Sequence, residues 1–267
     1  MFVRRPAVAG QFYPADISAL KEYLDRYIPK DLPKERALAV MAPHAGYIYS
    51  GHVAGKVYGR VSIPDDIVIM GPSHAGLGAE FALMDEGIWE MPQGSVSINN
   101  TLAGLILSEG KFTKDTVAHQ YEHSLEVQLP FLQYLKKEFS FVPIVLSYTD
   151  FSTCEALGKA LAKAITDYNK SVLIISSSDM THYESQSSAE KKDRLAIEKI
   201  LALDPHGLYE TVREHRISMC GVIPTTIALV ASNLLGAKEA ELVSYATSGD
   251  VTGDYYQVVG YAGIIIK

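Results

Sequence analysis

Short apolar runs of strand length recur along this chain, and segments with helical spacing of apolar residues separate them. Ala37 to Ala42 (ALAVMA), Ile67 to Met70 (IVIM), Phe141 to Leu146 and Val172 to Ile175 are such runs, as are Leu242 to Ala246 and Val258 to Ile266. Runs this short and this continuously apolar suit strands buried on both faces. Between them, Ile17, Leu20, Leu24 and Ile28 fall at helical spacing behind Asp16 as a cap, and Pro29 closes that helix. Ser152 with Glu155, and Ser187 with Glu190, read as the capping boxes of two further helices. Leu125 to Phe139 reads as another helix, with Pro130 tolerated near its start. Strands alternating with helices predict an α/β fold, a three-layer αβα sandwich around a largely parallel or mixed central sheet. Residues 80–98 break the rhythm. Turn residues at Asp85-Glu86-Gly87 and Pro92-Gln93-Gly94 predict an antiparallel hairpin or extended excursion there.

The 267 residues carry no internal repeat, low-complexity tract or Gly/Ser linker, so one domain over 1–267 is expected. A hydrophobic share of 48% supports a sizeable core. The net charge of −7, with no basic cluster longer than a pair such as Lys136-Lys137, argues against nucleic acid as a partner. Arg4 and Arg5 are not followed by an apolar stretch of signal-peptide length, and no run of about 18 apolar residues occurs, so no secretory leader and no membrane partner are expected. Cys154 and Cys220 do not make a disulfide framework, which fits a cytoplasmic location. Phosphate-binding and dinucleotide-binding glycine motifs, H-E-x-x-H and G-x-S-x-G are all missing. No nucleotide cofactor is expected, and zincin or α/β-hydrolase chemistry loses ground.

In open parallel sheets ligands bind beyond the carboxyl ends of the strands. Pro43-His44-Ala45-Gly46-Tyr47 follows the first long apolar run, Gly71-Pro72-Ser73-His74 the second, and Ser176 to Tyr183, with Asp179 and His182, the run at Val172. Three of the eight histidines thus follow buried strands. Convergent neutral imidazoles suit a transition metal, although a lone loop histidine is more often a hydrogen-bonded surface residue. Asp179, three residues before His182, can orient that imidazole for proton transfer, or can simply cap the next turn. Cys220 precedes Gly221 at an expected helix entrance, where a dipole-acidified thiolate can ligate a metal; a packed core thiol is the plainer alternative. His123, in Glu122-His123-Ser124-Leu125-Glu126, either adds a polar group to the cleft or makes a helix-start hydrogen bond. Cys154 is read as packing. His52, His119, His206 and His215 are read as surface or structural. Tyr47 and Tyr183 flank the motif loops as candidate cleft residues.

Arg5-Pro6-Ala7-Val8-Ala9-Gly10-Gln11-Phe12-Tyr13-Pro14 resembles the opening of Memo-family proteins. The resemblance continues, in family order, through Ala42 to Tyr47, Gly71 to His74, Glu122 to Glu126, Ser177 to His182 and Cys220-Gly221. It implies a fold similar to the B-type subunit of class III extradiol dioxygenases, which cleave aromatic rings with non-haem iron. It also implies a metal cleft of two histidines and a cysteine, falling here on His44, His74 and Cys220, with Asp179 and His182 as further cleft residues. Glu122 and His123 match a family motif without an assigned role. A thiolate in place of the dioxygenase carboxylate favours copper or thiolate-bound iron, with zinc ranked behind them, and puts ring cleavage in doubt. Two readings follow. One is a metal-dependent oxidoreductase or dioxygenase-like protein, with His44, His74 and Cys220 on the metal and His182, Asp179 and His123 at the chemistry. The other is a module that captures a small-molecule or peptide ligand in the same cleft without catalysis. A metal-dependent hydrolase ranks third, and the oligomeric state is open.

Overall fold

The computed structural model describes residues 2–267. Twelve strands form one mixed sheet. They are β1 (Val3–Arg4), β2 (Ala39–Ala42), β3 (Asp66–Pro72), β4 (Phe81–Leu83), β5 (Ile88–Trp89), β6 (Val96–Ile98), β7 (Thr113–Lys114), β8 (Ser140–Leu146), β9 (Val172–Ser177), β10 (His182–Glu184), β11 (Ala240–Thr247) and β12 (Val258–Ile266). The helices are α1 (Ile17–Tyr27), α2 (Tyr47–Arg60), α3 (Asn100–Ser108), α4 (Leu129–Leu135), α5 (Phe151–Tyr168), α6 (Gln186–Leu201), α7 (Pro205–Glu214), α8 (Val222–Leu234) and α9 (Gly249–Thr252). The main strand order is β1-β5-β6-β8-β3-β9-β2-β12-β10, with β11 on β12 and β4 on β7 and β8. The pairs β8–β3, β3–β9 and β9–β2 are parallel, whereas β12 runs antiparallel to β2.

Side chains alternate across the sheet because the strand repeat is two residues. Ala39, Met41, Val68, Met70, Ile174 and Ile264 join one buried cluster with residues of α3, α5, α6, α7 and α8. Val40, Ala42, Ile67, Ile69, Ile175 and Ile265 join another with α1, α2 and α4. The sheet is therefore the middle of three layers, as the continuously apolar runs require. No helix among the described residues is long and apolar enough to cross a membrane.

Several local expectations shift. Asp16 caps α1 through Ser18 N and Ala19 N. The cap of α5 is Asp150, which accepts from Thr153 N, while Ser152 only donates to Asp150. A carboxylate placed two residues earlier outcompetes the serine for the open amide. Helix α6 starts after Ser185 with no side-chain cap, two residues before the expected Ser187. The helix expected over 125–139 divides into a 3₁₀ turn, Glu126–Gln128, and the short α4. Glu126 and Gln128 are buried polar residues, and their hydrogen bonds to separate parts of the fold fix the tighter turn. In the 80–98 region β5 and β6 form the antiparallel hairpin, but β4 pairs with β8 instead of β5.

Candidate metal centre

Strands β3, β9 and β2 lie side by side and parallel, so their carboxyl ends share one edge. The loops carrying His74, Asp179–His182 and His44 leave from that edge. Adjacency of these three strands, which apolar periodicity cannot give, is what brings the histidines together. Two glycines allow the remaining segments to close in. A Cβ on Gly71 would stand 2.4 Å from Ser124 Oγ, so only glycine admits the Glu122–Ser124 loop beside the end of β3. A Cβ on Gly221 would stand 2.5 Å from the Ser177 carbonyl oxygen, so Gly221 lets Cys220 approach the end of β9.

Ligand nitrogens of His44, His74 and His123 all lie within 4.8 Å of one another. The ring centroids are 5.2 Å apart for His44 and His74, 5.5 Å for His44 and His123, and 4.3 Å for His74 and His123. His44 is buried, His123 half-buried and His74 exposed, so the cluster opens from the sheet edge to solvent. The Cys220 Sγ lies 3.3 Å from His44 Nε2. It adjoins the triad at His44 without belonging to the set of mutually close donors. Burial pushes the Cys220 thiol well up, with Asp179 adding to the effect. The helix-entrance acidification expected for this thiol is outweighed by desolvation. Burial and the neighbouring imidazoles hold His44 well below the ordinary histidine range, and the same causes bring His123 down to about 4. Neutral imidazoles are the form that binds metals.

Glu122 organises one side of this cluster. Its Oε1 accepts from His74 Nδ1 at 2.8 Å and Ser124 N at 2.9 Å, and its Oε2 accepts from His74 N at 2.7 Å. Burial opposes ionisation of Glu122, yet the N–H donors of His74 and Ser124 hold it down to about 2. A carboxylate accepts only, so His74 carries its proton on Nδ1 and presents a lone pair on Nε2. The backbone here is anchored further by Arg4, which is buried, donates to Glu122 O at 2.8 Å and pairs with Glu126 at 2.6 Å.

Asp179 has a different partner from the one its spacing indicated. Its Oδ1 accepts from His44 N at 2.8 Å, and burial pushes it up to about 6. The His182 Nδ1 lies 2.9 Å from the Ser218 carbonyl, while His182 N donates to Ser218 Oγ at 2.8 Å. A carbonyl cannot donate, so Nδ1–H points at Ser218 and Nε2 is the free basic nitrogen. Asp179 thus fixes the His44 loop, and Ser218 orients His182. His123 sits among the ligand nitrogens, and Cys154 is buried in α5 as a packing residue. Tyr47 lies in the core, donating to Val127 O at 2.7 Å, because it begins α2 on the inward face. Tyr183 does line the cavity and holds a left-handed backbone with φ 58°. The cavity of about 620 Å³ at this edge is walled by Phe12, Tyr49, Tyr183 and Tyr261 beside the histidines. Among the described residues, no lysine or arginine lines it.

The model of the Memo family, described as Memo-like protein, matches residues 4–265. The chain belongs to the Memo family. A MEMO1 family protein of Methanopyrus kandleri is 46% identical over 99% of both chains, and one of Aquifex aeolicus is 42% identical over 99% of both. The crystal structure of an uncharacterized protein from Escherichia coli K12 superposes with a TM-score of 0.57 at 15% identity, covering 86% of this chain and 100% of that one. At that identity the likeness is one of fold.

Within this Memo-family chain, Glu122 holds His74, Asp179 and Ser177 hold His44, and Gln128 backs Ser177, all of them buried. Glu122 carried a sequence signal in its motif, directly before His123. Ser177 opened the Ser177–His182 motif but nothing there pointed to His44, and Gln128 carried no signal, since their partners come from distant segments.

Proposed function

We propose that this Memo-family protein holds one transition metal at the carboxyl edge of its sheet and uses it in redox or oxygenase-like chemistry on a small ligand. The observation that carries this reading is the convergence of His44, His74 and His123 within 4.8 Å, with the Cys220 sulfur against His44 Nε2. The donors fit such an ion. His74 presents a lone pair on Nε2, His44 and His123 are neutral, and the thiol adds a soft ligand once deprotonated. Imidazole and thiolate together suit copper, iron or zinc, and iron or copper is preferred here because zinc has no redox chemistry to supply. His44, His74 and Cys220 are the assigned ligands, and His123 is placed to be a further one. A metal bound there would supply Lewis acidity and electron transfer.

The remaining residues act around that centre. His182, with Nε2 free, accepts or returns a proton at the cavity wall. Asp179 keeps the His44 loop in place through its backbone N–H. The aromatic walls at Phe12, Tyr49, Tyr183 and Tyr261 bind apolar or planar parts of a ligand and exclude water. With no lysine or arginine among the described residues at the cavity, a multiply charged anion has no fixed counter-charge there. Two free thiols fit a reducing, cytoplasmic setting. The aromatic cavity also favours the second reading, capture of a small-molecule or peptide ligand without turnover.

The test is metal content by elemental analysis with anaerobic titration of iron and copper. Wild type is compared with His44→Ala, His74→Ala, His123→Ala and Cys220→Ser. About one metal per chain in wild type, lost with His44 or His74, supports the centre. Binding that is absent, or indifferent to every variant, overturns it and leaves the ligand-capture reading.

A further inference from the structure

The side of His44 turned away from the cavity meets a buried chain of polar groups whose proton directions can be assigned one by one. Tyr58 OH donates to Gln128 Oε1 at 2.7 Å. The Gln128 amide nitrogen lies 3.0 Å from the Pro43 carbonyl oxygen. A carbonyl accepts only, so this contact fixes which end of the amide is nitrogen. That same nitrogen donates to Ser177 Oγ at 2.8 Å. Ser177 Oγ lies 2.6 Å from the Ser124 carbonyl oxygen, so its single proton must lie on that bond. Ser177 therefore has no proton left for His44, whose Nδ1 stands 2.9 Å from the same oxygen. The His44 Nδ1 must be the donor. Gln128 and His44 then use the two lone pairs of Ser177 Oγ, and the hydroxyl is fully satisfied. Gln128, Ser177, Ser124 and His44 are all buried, so water is a poor substitute for any partner.

We propose that Gln128 and Ser177 are positioning residues that lock His44 in the Nδ1–H tautomer and aim the Nε2 lone pair at Cys220 and the cavity. The lock works without a carboxylate, in contrast to Glu122 on His74, and so adds no charge to the buried end of the site. Its use for metal binding rests on the metal reading given above. The tautomer itself does not, because every hydrogen bond in the chain exists without an ion. Neutral His44 with its proton on Nε2 would present an N–H where a ligand lone pair is needed and would bind metal poorly.

The test is long-range ¹⁵N–¹H correlation spectroscopy of the metal-free, ¹⁵N-labelled full chain, with His44→Gln used to assign the ring signals. The expected wild-type pattern has the proton on Nδ1 and an unprotonated Nε2. Ser177→Ala removes the acceptor and should shift His44 toward the Nε2–H form or a mixture, with iron or copper affinity falling about 10- to 100-fold. Ser177→Thr, which restores a hydroxyl, should recover both the tautomer and the affinity. A wild-type spectrum with the proton on Nε2 overturns the proposal by itself, whether or not any variant folds. Unchanged Nδ1–H and unchanged affinity in a folded Ser177→Ala protein also overturn it. A wild type that binds no metal but shows the expected tautomer, switching in Ser177→Ala, upholds the lock and overturns the metal reading instead.

Discussion

Glu122→Gln removes one negative charge from a buried carboxylate that three N–H groups share, two from His74 and one from Ser124. The carboxyl sits at about 2 against an ordinary value of 4.5. That depression corresponds to about 3 kcal/mol of stability. A depressed folded pKa gives stability that is full above the unfolded pKa and is lost as pH falls through the folded one. The contribution is thus complete at pH 7, roughly halved at pH 3 and gone near pH 2. The glutamine retains one acceptor oxygen and turns an NH₂ toward a donor, leaving a buried N–H unpaired, which costs about 1–3 kcal/mol. A chain of 267 residues has an unfolding entropy of about 0.6 kcal/mol per kelvin. A loss of about 3 kcal/mol then lowers the melting temperature by about 5 °C. Calorimetry on chelator-treated protein keeps metal out of the comparison. The deficit should be about 5 °C at pH 7 and shrink steadily below pH 4.5. A variant melting within about 1 °C of wild type at pH 7, or a deficit that does not change with acid, would refute the role given to these three hydrogen bonds.

The opposite sign holds for Asp179, which burial pushes up to about 6 from 3.8. The folded state binds the extra proton between those values, so wild type loses stability as pH rises through that window and Asp179→Asn does not; parallel denaturant titrations at pH 4 and pH 7 should show the variant gaining on wild type at the higher pH. Because the Cys220 thiol is protonated in the metal-free protein, binding through its thiolate releases one proton. Metal affinity should then rise about tenfold per pH unit across neutral pH, and calorimetric titration in buffers of different ionisation enthalpy should find that proton missing in Cys220→Ser. Gly221→Ala places a methyl 2.5 Å from the Ser177 carbonyl oxygen and 2.3 Å from Ser178 Cβ. We expect about 1–3 kcal/mol of destabilisation in urea unfolding and a weaker metal site, since Cys220 must retreat with the loop. Cys154→Ala, deep in α5, should cost stability while leaving metal affinity unchanged in the same titration.

Much of this architecture was legible because burial on both faces leaves a compositional trace. The runs at Val40, Ile69 and Ile174 could be read as strands without knowing their neighbours, and the motif loops behind them pointed to one edge. Strand order was not legible. It depends on which parallel neighbour each run takes, and β2, β3 and β9 carry nearly interchangeable apolar side chains. The α5 cap was misplaced by two residues because two acceptors, Asp150 and Ser152, stand before the same amides. The pairing of Asp179 failed for a related reason. A three-residue spacing brings two side chains onto one face only within a helix, and Asp179 precedes the strand β10, where backbone direction sends the carboxylate to His44 and the imidazole to Ser218.

The two exposed-to-buried ends of the triad are held by different chemistry, and this bears on what the site can do. His74, at the open end, is held by an ionised carboxylate, a strong and charge-assisted partner that raises ligand basicity. His44, at the buried end, is held by the neutral Ser177 and Gln128, and the one carboxyl near it, Asp179, is pushed toward its protonated form. Below about pH 6, negative charge is thus concentrated at Glu122 and withheld from the interior. A cation entering from solvent meets its first fixed counter-charge at Glu122, behind His74, and gains the Cys220 thiolate only by expelling a proton at the far end. Binding should therefore proceed in two steps, a fast one sensitive to Glu122→Gln and a slower, pH-dependent one absent in Cys220→Ser. Stopped-flow mixing with copper would separate them, and a single phase that both variants slow equally would show that the ends of the site do not act in sequence.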